Sequence, residues 1–258
     1  MIICELGLNH KGVTPFAKQM VEQLIATNCD AITFQERESD FYKNEFESFR
    51  LPDDFYDEII NGDFRYRHHN GNDKLFGVAL ADHDRINDWI EFGVNFFKVL
   101  SWDLTNYSYR DKLIETGRAV HVSTGLAKDD DIKNLSKRYG YSDSIRLVHT
   151  QLSQQIRDCN LSAIKEMSKQ GFKVGYGNHC DNINTIYTSI AYNPSDYWFY
   201  VKSIDGVLDC EHAVMIEDVD DIVKNIHELE TSIGLGTKVN TAKPFNKGVK
   251  SEIDSIGE

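Results

Sequence analysis

The chain has 258 residues, 41% of them apolar, with 28 Lys and Arg against 41 Asp and Glu for a formal net charge of −13. That is material for one sizeable core of the length of a single α/β barrel, and its negative field disfavours nucleic acid and anionic membrane surfaces as partners. Five cysteines without a C-x-x-C pair read as reduced thiols of a cytoplasmic protein, and no apolar stretch is long enough to span a bilayer.

Short β-rich apolar runs alternate with longer segments of helical period. The predicted strands are Ile2 to Leu8, Ala31 to Gln35, Leu75 to Leu80, Phe96 to Leu100, Ala119 to Ser123, Ile145 to His149, Lys173 to Tyr176 and Tyr197 to Ser203. Helices are expected over Thr14 to Thr27, where Phe16, Met20, Leu24 and Ile25 form one stripe, and over Arg85 to Phe92, Tyr109 to Thr116 and Asp129 to Tyr139. Three more fall at Leu161 to Gln170, Asn184 to Tyr192 and Val219 to Ser232. Eight βα units imply a single-domain α/β TIM barrel over residues 1–236, with its site at the C-terminal strand ends. The first βα turn lacks G-x-G-x-x-G, so a doubly wound dinucleotide fold gains no support.

One stretch breaks the rhythm. Residues 36–74 separate strands two and three by far more than a helix needs, and they carry Phe41, Phe46, Phe49, Phe55, Tyr56, Phe64 and Tyr66. So many aromatics point to a packed excursion over the barrel mouth, either a helical β2–α2 insertion of purely structural use or a substrate lid. Residues 237–258 are polar and weakly periodic, and read as a tail.

Polar side chains crowd the strand ends. Glu5, Asn9 and His10 follow the first strand and Gln35 ends the second; Lys98, Ser101, Asp103, Thr105 and Asn106 surround the end of the fourth; Ser123, Thr124, His149, Thr150, Asn178 and His179 follow on later strands. Side chains from several strands converge only on that face. His179 and His212, after neighbouring strands, are candidate metal ligands, or hydrogen-bonded loop residues. Lys98 and Lys202 lie within strand runs, where a lysine can form a Schiff base, hold a phosphate or carboxylate, or snorkel outward.

The opening Cys4-Glu5-Leu6-Gly7-Leu8-Asn9-His10-Lys11-Gly12 resembles the start of the N-acetylneuraminate (sialic acid) synthase family. Further matching segments follow in that family's order: Thr33-Phe34-Gln35, Phe97-Lys98-Val99-Leu100-Ser101, Ser123-Thr124-Gly125, Val148-His149-Thr150, Asn160-Leu161, Gly175-Tyr176-Gly177-Asn178-His179 and Glu211-His212-Ala213. The resemblance implies a TIM barrel condensing phosphoenolpyruvate with an open-chain N-acetylhexosamine to a 2-keto sugar acid for surface polysaccharide. It implies a divalent metal (Mn or Mg) held by two histidines, of which His179 is the first, that polarises the sugar aldehyde. It places Glu5 and Asn9 near the reacting centre, Lys98, Thr105 and Ser123 near the phosphoenolpyruvate, and Asn160 near the sugar; Lys98 is expected to be catalytic with Glu5 and Asn9, and Gln35, Asn178 and Lys202 to join the substrate-binding set, in a possible homodimer. The chain departs from the pattern at Thr33, where the family has a lysine, at Gln151 and Leu152, where it has hydroxyls, and at Ser203, which aligns with its second metal histidine. Those departures keep two other readings open, a Schiff-base aldolase on Lys98 or Lys202 and a sugar-binding barrel without turnover.

Overall fold

The computed structural model describes residues 1–62, 73–140, 142–206, 211–234 and 236. Eight parallel strands close a barrel: β1 (Ile2–Leu6), β2 (Ala31–Glu36), β3 (Leu75–Leu80), β4 (Phe96–Val99), β5 (Ala119–Ser123), β6 (Ile145–Thr150), β7 (Lys173–Asn178) and β8 (Tyr197–Lys202). Closure is the β1–β8 pairing, with Ile3 opposite Trp198 and Glu5 opposite Tyr200. A two-residue strand, β9 (Val214–Met215), extends β8. This is the TIM barrel that the alternation of elements implies.

The helices between strands are α1 (Thr14–Ala26), α2 (Asp53–Asn61), α3 (Ile86–Glu91), α4 (Tyr107–Glu115), α5 (Asp129–Tyr139), α6 (Ala163–Ser168), α7 (Asn184–Ser189) and α8 (Val219–Ile233). The expected first strand ends early, at Leu6, because Leu8–His10 turns into a 3-10 segment closed by Lys11 in the left-handed region. Helix α4 begins two residues before the expected start, where the Asn106 side chain accepts the Tyr109 N–H and caps it. Among the described residues no helix is long and apolar enough to cross a membrane.

Period-two alternation sorts each strand into two faces. Ile2, Cys4, Leu6, Ile32, Phe34, Phe97, Val99, Leu147, Val174, Tyr176, Phe199 and Val201 join the large core between barrel and helices. Ile3, Ala31, Phe96, Val148 and Trp198 meet inside as the barrel floor. Gly77 is glycine for that floor's sake, since a Cβ there would lie 2.0 Å from the Phe96 ring. Below the floor the buried Asp196 takes the N-terminal amine at 3.9 Å, Arg146 at 3.4 Å and His121 Nδ1 at 3.9 Å. Burial holds His121 neutral, its pKa lowered to about 3.

The aromatic stretch after β2 divides. Helix α2, the structural helical insertion that the sequence left open beside a lid, puts Phe55 and Tyr56 on the outer wall against Phe34, with Tyr56 also on Trp89 and Phe92. These rings are therefore core and not lid. Among the described residues, the segment before α2 stays with the C-terminal loops: Arg37 stacks on Phe41 and on Trp102 of the loop after β4, and Ser39 donates to Asp82. Gly12, at φ 72°, lets the Ser48–Phe49 backbone press on the first βα loop, a contact any Cβ would block. Phe64, Tyr66 and the tail 237–258 lie outside the described residues.

Candidate active site

The upper lumen holds a column of polar side chains on the same strand faces as the floor. Glu5 and Lys98, 93 positions apart in sequence, form a close ion pair, both buried. The Lys98 ammonium also lies 5.2 Å from the centre of the Trp198 ring and 5.8 Å from that of Tyr200, whose faces favour a cation. Glu5 Oε2 takes the lysine; Oε1 is buried with no hydrogen-bond partner. An unsaturated carboxylate oxygen in a closed lumen is costly unless a ligand satisfies it.

Above the pair, Tyr200 touches both candidate metal ligands, with ring centres 5.4 Å from His179 and 4.7 Å from His212. The two imidazoles stack at 4.8 Å with an interplanar angle of 20°. Burial, with His212 and Lys98 nearby, lowers the His179 pKa to about 3, so its ring is neutral at pH 7 and keeps a lone pair for a ligand. The imidazole facing His179 is thus His212. Ser203, aligned from sequence with the lost histidine, instead donates to Gln23 at 2.9 Å on the surface. Among the described residues no cluster of three or more His, Cys, Asp and Glu side chains is placed to hold a metal. The donor set is therefore two imidazoles, with Glu5 held by Lys98 instead of joining them.

The other candidates separate by strand parity. Asn9 donates to the Val201 carbonyl at 2.7 Å, and Asn9 Oδ1, Gln35 Oε1 and Thr150 Oγ1 are buried without hydrogen-bond partners. Ser123 is buried at the lumen end of β5, and Thr33, fully buried, stands opposite Glu5 in the β1–β2 register. Asn178 faces outward with Val174 and Tyr176, and its amide is spent on its own loop: Oδ1 accepts from Cys180 N at 3.2 Å and Thr185 Oγ1 at 2.9 Å, and Nδ2 donates to Cys180 O at 2.9 Å. The structure thus assigns the Asn178 side chain to loop architecture, because an even-numbered position on β7 points away from the lumen. Lys202 pairs with exposed Asp205 at 2.6 Å. Thr105 and Asn160 are exposed on loops, Asn160 at φ 43°. Sequence reading left out Tyr200 as a site residue; alternation with Trp198 was the signal that could have found it.

The family model described as NeuB family matches residues 16–238. The chain belongs to the NeuB family. Its relatives include an uncharacterized protein of Methanocaldococcus jannaschii, 28% identical over 92% of this chain and 73% of that protein. The human N-acetylneuraminate-9-phosphate synthase is 23% identical over 92% of this chain and 72% of its own length. Among solved structures, the N-acetylneuraminic acid (sialic acid) synthetase of Leptospira borgpetersenii in complex with citrate superposes with a TM-score of 0.81 at 22% identity, covering 98% of this chain and 90% of that one.

Proposed function

We propose that this NeuB-family barrel condenses phosphoenolpyruvate with an N-acetylhexosamine-type sugar aldehyde to a 2-keto sugar acid. The observation that carries the reading is the Glu5–Lys98 pair close to two stacked imidazoles. In the reaction, C3 of the enol attacks the aldehyde carbon, water adds at C2, and phosphate leaves. Lys98 is the lumen cation for the donor's carboxylate or phosphate. Glu5 Oε1 accepts the proton of an attacking water or a substrate hydroxyl, the bond that it lacks in the free protein. Asn9, Gln35, Ser123 and Thr150 line the acceptor's path with hydrogen-bonding groups.

His179 and His212 would hold a divalent ion, Mn or Mg, whose chemistry is Lewis-acid polarisation of the aldehyde. With two protein ligands, the remaining positions fall to water and substrate, so binding is weak. A Schiff base has less support, because both Lys98 and Lys202 are ion-paired and an ammonium cannot attack a carbonyl.

Phosphate release from phosphoenolpyruvate with a panel of N-acetylhexosamines tests the reading. Sugar-dependent release that disappears in Glu5→Gln is expected. Tight phosphoenolpyruvate binding without release for any sugar would favour a binding barrel, and a lysine trapped by borohydride with a keto acid would favour the aldolase.

A further inference from the structure

Three rings close a triangle beside the Glu5–Lys98 pair. The His179 and His212 centres stand 4.8 Å apart, and the Tyr200 centre lies 5.4 Å from the first and 4.7 Å from the second, its plane at 64° and 74° to theirs. The Lys98 ammonium lies over the same Tyr200 ring, 5.8 Å from its centre. A single side chain thus touches the lumen cation and both imidazoles. Its backbone is held on two sides: Glu5 is its partner in the β1–β8 register, and the Asn9 side chain donates to the carbonyl of the next residue, Val201, at 2.7 Å. Trp198, two residues earlier on the same face, packs in the barrel floor, so alternation aims Tyr200 into the lumen, where it is 7% exposed.

We infer that Tyr200 is a positioning residue, whose ring keeps the two imidazoles stacked and sets their place relative to Lys98. Its consequence for catalysis rests on the reading of this lumen as a condensing site. The imidazoles stand on two loops, one after β7 and one before β9, and a parallel stack alone lets two rings slide past each other. A third ring set across both gives each an edge-to-face contact and removes that freedom. The ring also presents an electron-rich face to the Lys98 ammonium, which an aliphatic side chain of similar size lacks. A donor anion at Lys98 and an aldehyde at the imidazoles are then held at a fixed separation by one rigid group. The ring and not the hydroxyl carries this role, so phenylalanine replaces it and leucine does not.

The test is proton NMR of the full chain without metal or substrate, in wild type, Tyr200→Phe and Tyr200→Leu. Wild type should show nuclear Overhauser contacts from the Tyr200 ring to the imidazole protons of both His179 and His212, and between the two imidazoles. Tyr200→Phe should keep the imidazole–imidazole contact, and Tyr200→Leu should lose it. Manganese(II) titrations followed by electron paramagnetic resonance should show affinity lower by about 10- to 100-fold in Tyr200→Leu, the scale of losing a group that orients a metal ligand, with recovery in Tyr200→Phe. An imidazole stack that survives in Tyr200→Leu, manganese affinity that this change leaves alone, or a Tyr200→Phe protein as impaired as Tyr200→Leu would overturn the assignment. If Tyr200→Leu fails to fold, the wild-type spectrum decides, because the absence of either Tyr200–imidazole contact removes the ring from this role. Neither phosphoenolpyruvate nor sugar enters these measurements, so a missing phosphate release counts against the reaction alone.

Discussion

Glu5 and Glu36 are carboxylates on neighbouring strands, each 1% exposed, and the structure treats them in opposite ways. Glu36, on the outer face of β2, has both oxygens engaged: Oε1 by Arg50 at 3.0 Å and Arg85 at 3.2 Å, and Oε2 by the Trp89 indole N–H. Arg85 continues to Asp53 at the start of α2, so this carboxylate pins α2 and α3 to the barrel wall. Glu5, on the inner face of β1, has one oxygen on Lys98 and the other on nothing. Saturation marks a group that serves the fold. An unmade bond in the lumen marks one that awaits a ligand.

Acid should separate the groups most widely. The buried imidazoles of His10, His121 and His179 have folded pKa values near 4, 3 and 3 against 6.5, so the stability they contribute is present above pH 6.5 and lost as pH falls toward 3 to 4. Burial raises the Glu36 pKa, so its contribution runs the other way, present below 4.5 and lost as pH rises through the raised value. Three histidines outweigh one glutamate. Denaturant titrations from pH 7 to 4 should show a loss of several kcal/mol, and a flat profile would show that these rings are not buried neutral bases.

Removing the saturated carboxylate comes next. Glu36→Ala removes the acceptor of the Arg50 guanidinium and of the Trp89 indole N–H, and one of the carboxylates on Arg85, and should cost about 3–5 kcal/mol in urea unfolding. If Glu5→Gln costs as much as Glu36→Ala, the contrast between the two sites fails, since the lumen amide keeps an acceptor for Lys98.

Lys98→Ala should weaken phosphoenolpyruvate binding by roughly 10- to 150-fold in calorimetry, the value of a charge-assisted hydrogen bond of about 1.5–3 kcal/mol. Its stability cost should stay below that of Glu36→Ala, because one ion-pair partner is lost instead of a shared acceptor of three donors. Binding indifferent to Lys98 would move the anion site out of the lumen. The smallest expected effect belongs to Thr33→Lys. Thr33 stands directly opposite Glu5 in the strand register, so a lysine there supplies a second cation but shares Glu5's charge. Phosphoenolpyruvate affinity should rise by about tenfold or less. A fall would mean that the fully buried Thr33 position cannot seat the longer chain.

The amino-acid sequence by itself determined what local pattern can determine. β-Branched and aromatic runs set the eight strands, their alternation set which side chains share a face, and the order of motifs from Glu5 to His212 marked the family. Segments with mixed signals were less legible: a helical insertion between β2 and β3 was one of two readings, but its bounds were hidden because Phe55, Tyr56, Ile59 and Ile60 sit in a stretch whose many aromatics masked one short helical stripe. Only barrel closure decided the site. Which face of a strand becomes lumen depends on how eight strands join, so sequence could not distinguish inward Glu5 from outward Glu36, or Lys98 from the outward Asn178. Nor could it pair Glu5 with Lys98 across 93 positions. Alternation is a property of one strand, whereas contact across a lumen is a property of all eight.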